Sequence, residues 1–219
     1  MSSTGSVLIV GASRGIGLEL VRQYAAADWA VHATTRSPED PGALGDIEGA
    51  VQLHPLDVRN QDEVDALVAA LPERGMNVAV HNAGIGRGHS RSDLMEVNAK
   101  APIAVIQALL DGDRLANQAR VVLVTSQLGA RRGRTDSLGD YGDSKAALND
   151  EFWLRTPAWK LAGLIGIVMH PGWVRTDMGG RGAALSVEES AAGIRRVIAG
   201  LSSADHGRFY SWDGSEHPW

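Results

Sequence analysis

The sequence predicts an α/β fold: a doubly wound parallel sheet of about seven strands with helices on both faces. Three observations predict it. Short apolar runs alternate with helix-like patterns almost to the end of the chain. The runs are continuously apolar, as strands covered on both faces are. The first, Val7-Leu8-Ile9-Val10, leads directly into Gly11, Gly15 and Gly17 and then a helical pattern.

Composition narrows the rest. A chain of 219 residues suits one domain, spanning 1–219. With 44% hydrophobic and 21% charged residues it is neither disordered nor membrane-like. A net charge of -5 implies no general affinity for nucleic acid or anionic lipid. The absence of cysteine excludes disulfides, thiolate metal sites and a thiol nucleophile. The seven histidines have no metal-ligand spacing, so no metal is expected. No basic segment leads into a longer apolar stretch at the N-terminus, and no run reaches membrane length. The expectation is a cytoplasmic protein with no membrane or nucleic-acid partner.

Val7 to Val10 is short enough for a strand and too short for a buried helix. Gly11 lets the chain turn, and Gly15 and Gly17 leave room for close approach to the backbone. N–H groups at the start of the next helix favour an anion, typically phosphate. Leu18, Val21 and Ala25 recur at helical spacing. The order G-x-x-x-G-x-G differs from the G-x-G-x-x-G Rossmann fingerprint, and a mere tight bend is the alternative. Trp29 to Thr34 reads as strand two. The following Thr34-Thr35-Arg36-Ser37 has no acid before Glu39. An acid near here binds the ribose 2′-hydroxyl of NAD. Arg36 is instead placed to pair with a 2′-phosphate, with Arg14 as partner, because the guanidinium fork bonds phosphate bidentately. That predicts NADP(H) in preference to NAD(H); two solvated arginines are the alternative.

Val51-Gln52-Leu53 is strand three, and Asp62 to Leu71 a helix that Asp57 could cap. Asn77 to Val80 is strand four, ending in His81-Asn82-Ala83-Gly84. Small residues there let the backbone and a ligand approach, and the Asn82 amide can tie strand ends together. His81 reads as an inert strand-end histidine. Asp93 to Leu110 is helical, with Asn98 in an apolar stretch four residues before Pro102. Proline has no N–H, so the Asn98 carbonyl loses its helical partner. A kink made for packing alone is the alternative.

Arg120 to Thr125 is strand five, followed by Ser126-Gln127-Leu128-Gly129. Gly139 to about Lys160 is helical, and Tyr141 and Lys145 share one face of it. A chain with only three tyrosines and three lysines offers few such pairs. Their chemistry suits proton transfer. Ser126 can donate a hydrogen bond to a ligand oxygen and Tyr141 can transfer a proton. Free tyrosine titrates at about 10, so work near neutrality needs a shift of about 2–3 units. A nearby Lys145 cation favours phenolate and supplies much of it. The alternative is a surface Tyr-Lys pair and a strand-end serine.

Leu164 to Met169 is strand six, followed by His170-Pro171-Gly172-Trp173-Val174-Arg175-Thr176-Asp177, in which Pro171-Gly172 shapes a turn. Trp173 is either a wall of a substrate pocket or ordinary packing. Arg131, Arg132 and Arg134 attract an acidic substrate or form a solvated charge run. Val187 to Leu201 is a helix and Arg208 to Trp212 the last strand. Pro157 falls inside the Tyr141 helix, where proline costs about 3 kcal/mol and bends the axis.

The wording Gly-Ala-Ser-Arg-Gly-Ile-Gly, the Asn82-Ala83-Gly84 segment, Ser126, Tyr141-x-x-x-Lys145 and Pro171-Gly172-x-Val174-x-Thr176 together resemble the short-chain dehydrogenase/reductase family over nearly the whole chain. The short stretch 178–185 and the closing Gly-Arg-Phe-Tyr-Ser-Trp-Asp-Gly pattern are most similar to the carbonyl-reductase and C-factor-like subgroup. His81 departs from the family's Asn-Asn-Ala-Gly.

The resemblance implies a catalytic set of Asn98, Ser126, Tyr141 and Lys145, with Asn98 holding a water in a proton relay and Lys145 also binding the nicotinamide ribose. It implies cofactor contacts at Gly11, Ser13, Arg14, Gly15, Ile16 and Gly17, at Arg36, and at Asp57 and Val58 beside the adenine. Asn82, Ala83, Gly84, Tyr141 and Lys145 follow. Pro171, Gly172, Val174 and Thr176 would lie at the carboxamide and pyrophosphate. The activity implied is interconversion of a small-molecule carbonyl (aldehyde, ketone or quinone) and an alcohol. The short segment 178–185 implies an open site and a broad substrate range. A homodimer through the Tyr141 helix is also implied, though a bend at Pro157 would alter that contact. The alternative is a dinucleotide-binding regulatory or signalling protein on the same fold.

Overall fold

A computed structural model describes residues 4–86, 88–131 and 139–219. The strands are β1 (Ser6–Val10), β2 (Ala30–Thr35), β3 (Val51–Pro55), β4 (Met76–His81), β5 (Leu115–Val124), β6 (Ile165–His170) and β7 (Arg208–Ser211). The helices are α1 (Gly15–Ala25), α2 (Gln61–Ala70), α3 (Arg91–Met95), α4 (Ala101–Asp111), α5 (Gly139–Leu161) and α6 (Val187–Gly200). All seven strands run parallel in the order β3-β2-β1-β4-β5-β6-β7. This is the Rossmann-type sheet the alternation predicts. The order reverses between β1 and β4, which opens a crevice at the carboxyl ends of those strands.

Successive residues of a strand face opposite sides, and here both sides are covered. Val7, Ile9, Val78, Val80 and Val122 pack with Leu20 and Val21 of α1 and Ile194 and Ile198 of α6. Leu8, Val10, Ala79, Val121 and Leu123 pack with Leu67 of α2, Ile106 of α4 and Phe152 of α5. That double burial explains the unbroken apolar runs. No described helix is long and apolar enough to cross a membrane.

Two elements differ from the sequence expectation. Strand five begins at Leu115, not Arg120. Between Met76 and Val78 on β4, β5 advances from Leu115 to Arg120, so the register is bulged. Gln118 in the bulge takes φ 58°, and the polar Asn117-Gln118 pair hides the strand start. The helix expected over 93–110 is three pieces: α3, a π turn Glu96–Lys100, and α4. Ala101 N donates to Glu96 O, five residues back, so Pro102 enters in the first turn of α4, where its missing N–H matters least.

Pro157 lies, as expected, inside a helix that continues to Leu161. Its missing N–H would have met Trp153 O. The Thr156 hydroxyl donates to that carbonyl instead, at 2.8 Å. Thr156 O in turn lies 2.8 Å from His206 Nε2. Because His206 Nδ1 accepts from Gly166 N at 3.0 Å, Nε2 carries the proton and donates.

Candidate active site

The glycine turn is stitched to its neighbours. Gly11 leaves β1 with φ 83°. Its N–H donates to Thr34 Oγ1 (3.0 Å), and Asn82 Nδ2 donates to its carbonyl (2.8 Å). A methyl on Gly11 would lie 2.6 Å from Ala83 Cα, and one on Gly17 would lie 2.0 Å from Gly11 O. The close approach at Gly17 is therefore the protein's own backbone. Gly17→Ala is expected to lower stability by about 1–3 kcal/mol or more, as overpacking does. Gly182, whose surroundings are open, serves as the alanine control in the same thermal melt; equal melting of the two variants would contradict this.

Gly15 is different. It has φ 56°, and a methyl there would lie 3.3 Å from Thr176 Cγ2. The turn thus meets the loop after β6. No side chain caps α1 and no acidic residue stands in its first turn. Its leading N–H groups, with Ser13 exposed and Ile16 half-buried beside them, are available to an anion.

The four expected catalytic residues stand on elements that meet at the carboxyl ends of β4 and β5. Asn98 is fully buried in the π turn. Its Oδ1 accepts from Ile85 N (2.9 Å), and its Nδ2 donates to Ile85 O (2.9 Å) and Ser144 Oγ (3.1 Å). The side chain thus fastens the loop after β4 to α5. Ser144 Oγ donates to Tyr141 O at 2.7 Å. Lys145 is 5% exposed, and its Nζ donates to Val124 O at 3.0 Å. Burial lowers its pKa to about 8, so it remains a cation at neutral pH. A methyl on Gly84 would lie 3.1 Å from Asn98 Oδ1 and 3.5 Å from Lys145 Nζ. A side chain here would press on Asn98 Oδ1 and fill the space beside both groups.

Ser126 lies just beyond β5, and its Oγ accepts from Leu128 N at 3.2 Å. The segment is clamped to α5: Thr125 Oγ1 donates to Asn149 Oδ1 (2.7 Å), and Asn149 Nδ2 donates to Gly129 O (3.2 Å). Tyr141 sits half-buried one turn before Lys145. His81 is buried, and neither ring nitrogen has a hydrogen-bond partner among the described residues. Burial and the neighbouring Lys145 cation push its pKa down to about 3, so it is neutral.

The expected cofactor side is more scattered. Arg36 is exposed past β2. Asp57 does not cap α2; Asn60 does, accepting from Asp62 N. The Asp57 carboxylate is gripped instead by Arg59, at 3.0 Å from Nε and 2.7 Å from one terminal nitrogen. Those bonds hold its pKa down at about 2. Val58 packs against the core. Pro171 O accepts from Ser190 Oγ at 2.7 Å. Gly172 (φ 87°) turns towards the protein, where a methyl would lie 2.2 Å from Leu185 and 3.0 Å from the Trp212 ring. Val174 is buried and bridges to Leu185, and Thr176 Oγ1 accepts from Gly179 N at 3.1 Å. Trp173 is exposed and donates from Nε1 to Gly179 O at 2.9 Å. Arg131 pairs with Asp150 at 3.3 Å; Arg132 and Arg134 lie outside the described residues.

Sequence reasoning missed two residues. One Arg91 nitrogen bridges Asp140 (2.9 Å) and Asp143 (3.0 Å), fastening α3 to the turn that carries Tyr141. Arg14 pairs with Asp177 at 3.0 Å. Neither partner has a local sequence signal.

The model for "short chain dehydrogenase" matches residues 6–184. The chain belongs to the short-chain dehydrogenase family. It is an oxidoreductase by that membership. This dehydrogenase is 36% identical over 154 residues to the C-signal of Myxococcus xanthus, an alignment covering 66% of this chain and 93% of that one. The carbonyl reductase of Pseudomonas aeruginosa PAO1 in complex with NADP is 31% identical, with TM-score 0.83, covering 99% of this chain and all of that one. The NADPH-bound carbonyl reductase from chicken fatty liver is 28% identical, with TM-score 0.86 and full coverage of both. The uncapped start of α1, the bare backbone at Gly84 and the narrow contact of Gly15 with Thr176 fit a dinucleotide laid along the crevice of this dehydrogenase.

Proposed function

We propose that this chain, acting as a single domain over residues 1–219 in the cytoplasm, interconverts a small carbonyl compound and its alcohol with NADP(H) in preference to NAD(H). The observation that carries this is the buried Lys145 ammonium one turn after Tyr141, at the strand end that bears Ser126. The bound dinucleotide supplies the hydride and accepts it in reverse. Ser126 orients the carbonyl by donating to its oxygen. Tyr141 gives that oxygen its proton. The Lys145 charge favours the phenolate that remains and holds the nicotinamide ribose. Asn98, its amide occupied by Ile85 and Ser144, keeps the loop after β4 in place and supports proton return to solvent.

Gly11, Ser13, Arg14, Gly15, Ile16 and Gly17, with Asn82, Ala83 and Gly84 and with Pro171, Gly172, Val174 and Thr176, would hold the cofactor. Asp57 and Val58 would flank its adenine. The absence of an acid before Glu39 and the exposure of Arg36 support the preference for a 2′-phosphate. NADPH is expected to be consumed with members of a panel of aldehydes, ketones and quinones. Arg36→Ala is expected to raise KM for NADPH by about tenfold, the worth of one charged hydrogen bond, and to leave KM for NADH alone. Equal use of both coenzymes by wild type and variant would defeat the preference. Similarity to the C-signal favours a second reading, a dinucleotide-binding signalling protein, and the Tyr141 variant separates the two.

A further inference from the structure

Among the described residues, Arg14 and Asp177 form the ion pair that joins the two sides of the crevice. Arg14 stands immediately before α1, and Asp177 follows Thr176 in the loop after β6. One guanidinium nitrogen lies 3.0 Å from Oδ2, and the side chains are 74% and 78% exposed. A methyl on Gly15 would lie 3.3 Å from Thr176 Cγ2, so the two segments run close and the pair is a short strap over the start of α1. A single-pronged, solvated contact of this kind is weak. A phosphate ester carries more charge and accepts from the guanidinium fork in two places.

We propose that Asp177 is a specificity-determining residue: it holds Arg14 until a 2′-phosphate takes Arg14 over, and so narrows the margin by which NADP(H) is bound over NAD(H). This rests on the reading of Arg14 and Arg36 as the 2′-phosphate pair. A ribose with a free 2′-hydroxyl gives Arg14 no reason to leave, so NAD(H) binds with the strap closed. A 2′-phosphate draws the guanidinium away, and the exposed carboxylate returns to water. Asp177 therefore opposes one coenzyme and not the other. Its effect belongs to Arg14 and is screened by salt.

The test is the dissociation constant of NADPH and of NADH, by calorimetric titration, for wild type, Asp177→Asn, Arg14→Ala and the double variant. Asp177→Asn is expected to tighten NADPH by about two- to fivefold, the range of an exposed ion pair, and to leave NADH unchanged. The gain is expected to shrink at high salt and to be absent when residue 14 is alanine. Equal change for both coenzymes, no change, or weaker NADPH binding (the sign of an aspartate that orients Arg14) overturns the proposal. If wild type binds both coenzymes alike and ignores Arg36→Ala, the parent reading falls and takes this one with it. If wild type prefers NADPH but Asp177→Asn does nothing, this inference alone falls.

Discussion

Tyr141→Phe is expected to lower kcat for carbonyl reduction by about 10²–10⁴-fold, the usual worth of a positioned proton donor. NADPH binding is expected to loosen by no more than about fivefold, the worth of one hydrogen bond. The split follows from the site. Phenylalanine fills the half-buried place of the ring and lacks only the hydroxyl. The bond that Ser144 makes at this position goes to the main-chain carbonyl, so the variant keeps it. Asn98, Lys145 and the clamp through Asn149 are untouched. Stopped-flow reduction and coenzyme titration on one preparation measure both numbers. If kcat survived, Tyr141 would not be the proton donor. If a biological activity survived while kcat collapsed, the signalling reading would take precedence.

Acid is expected to destabilise the folded chain well above the carboxylate range. His32 and His54 share a buried 3.0 Å contact between β2 and β3. Burial, then His54, lowers the pKa of His32 to about 4; burial lowers that of His54. His81 is held at about 3, and burial followed by His217 lowers His170 to about 4. Each is neutral in the fold and takes a proton more readily when unfolded. The unfolded chain therefore binds more protons below about pH 6.5, and stability falls from there down to the folded values. His81 alone accounts for a loss of about 2 kcal/mol between pH 7 and pH 5, and the other three add in the same direction. Urea unfolding at the two pH values measures the slope. His81→Asn, which cannot titrate, is expected to flatten it, and an unchanged slope would contradict this account.

The strands were legible in the sequence because double burial writes itself as unbroken runs such as Val7 to Val10. The turn was legible because glycine stands where backbones crowd or φ is positive. What escaped notice had a distant or compensating cause. The π turn before α4 keeps the apolar pattern of an ordinary helix, so only Pro102 hinted at it. The start of β5 is masked by its polar bulge. The cost expected at Pro157 is offset by Thr156 and, from β7's side of the sheet, His206, replacements for lost helix bonds that the sequence cannot foresee. The contact of Arg14 with Asp177 was hidden because nothing in the sequence joins residues 163 positions apart.

The order of strands also bears on how the molecule comes together. No strand here can pair with its neighbour through a tight hairpin, because every connection crosses over. The crevice is more remote still: Gly11 meets Asn82 across 71 positions. Closing so long a loop is entropically slow, and contacts of this range form late. The pairing of β1 with β4 is therefore expected to follow the more local pairings within each half. A crevice that depends on that pairing ties competence for coenzyme to completion of folding, and excess coenzyme is expected to slow unfolding rather than hasten collapse.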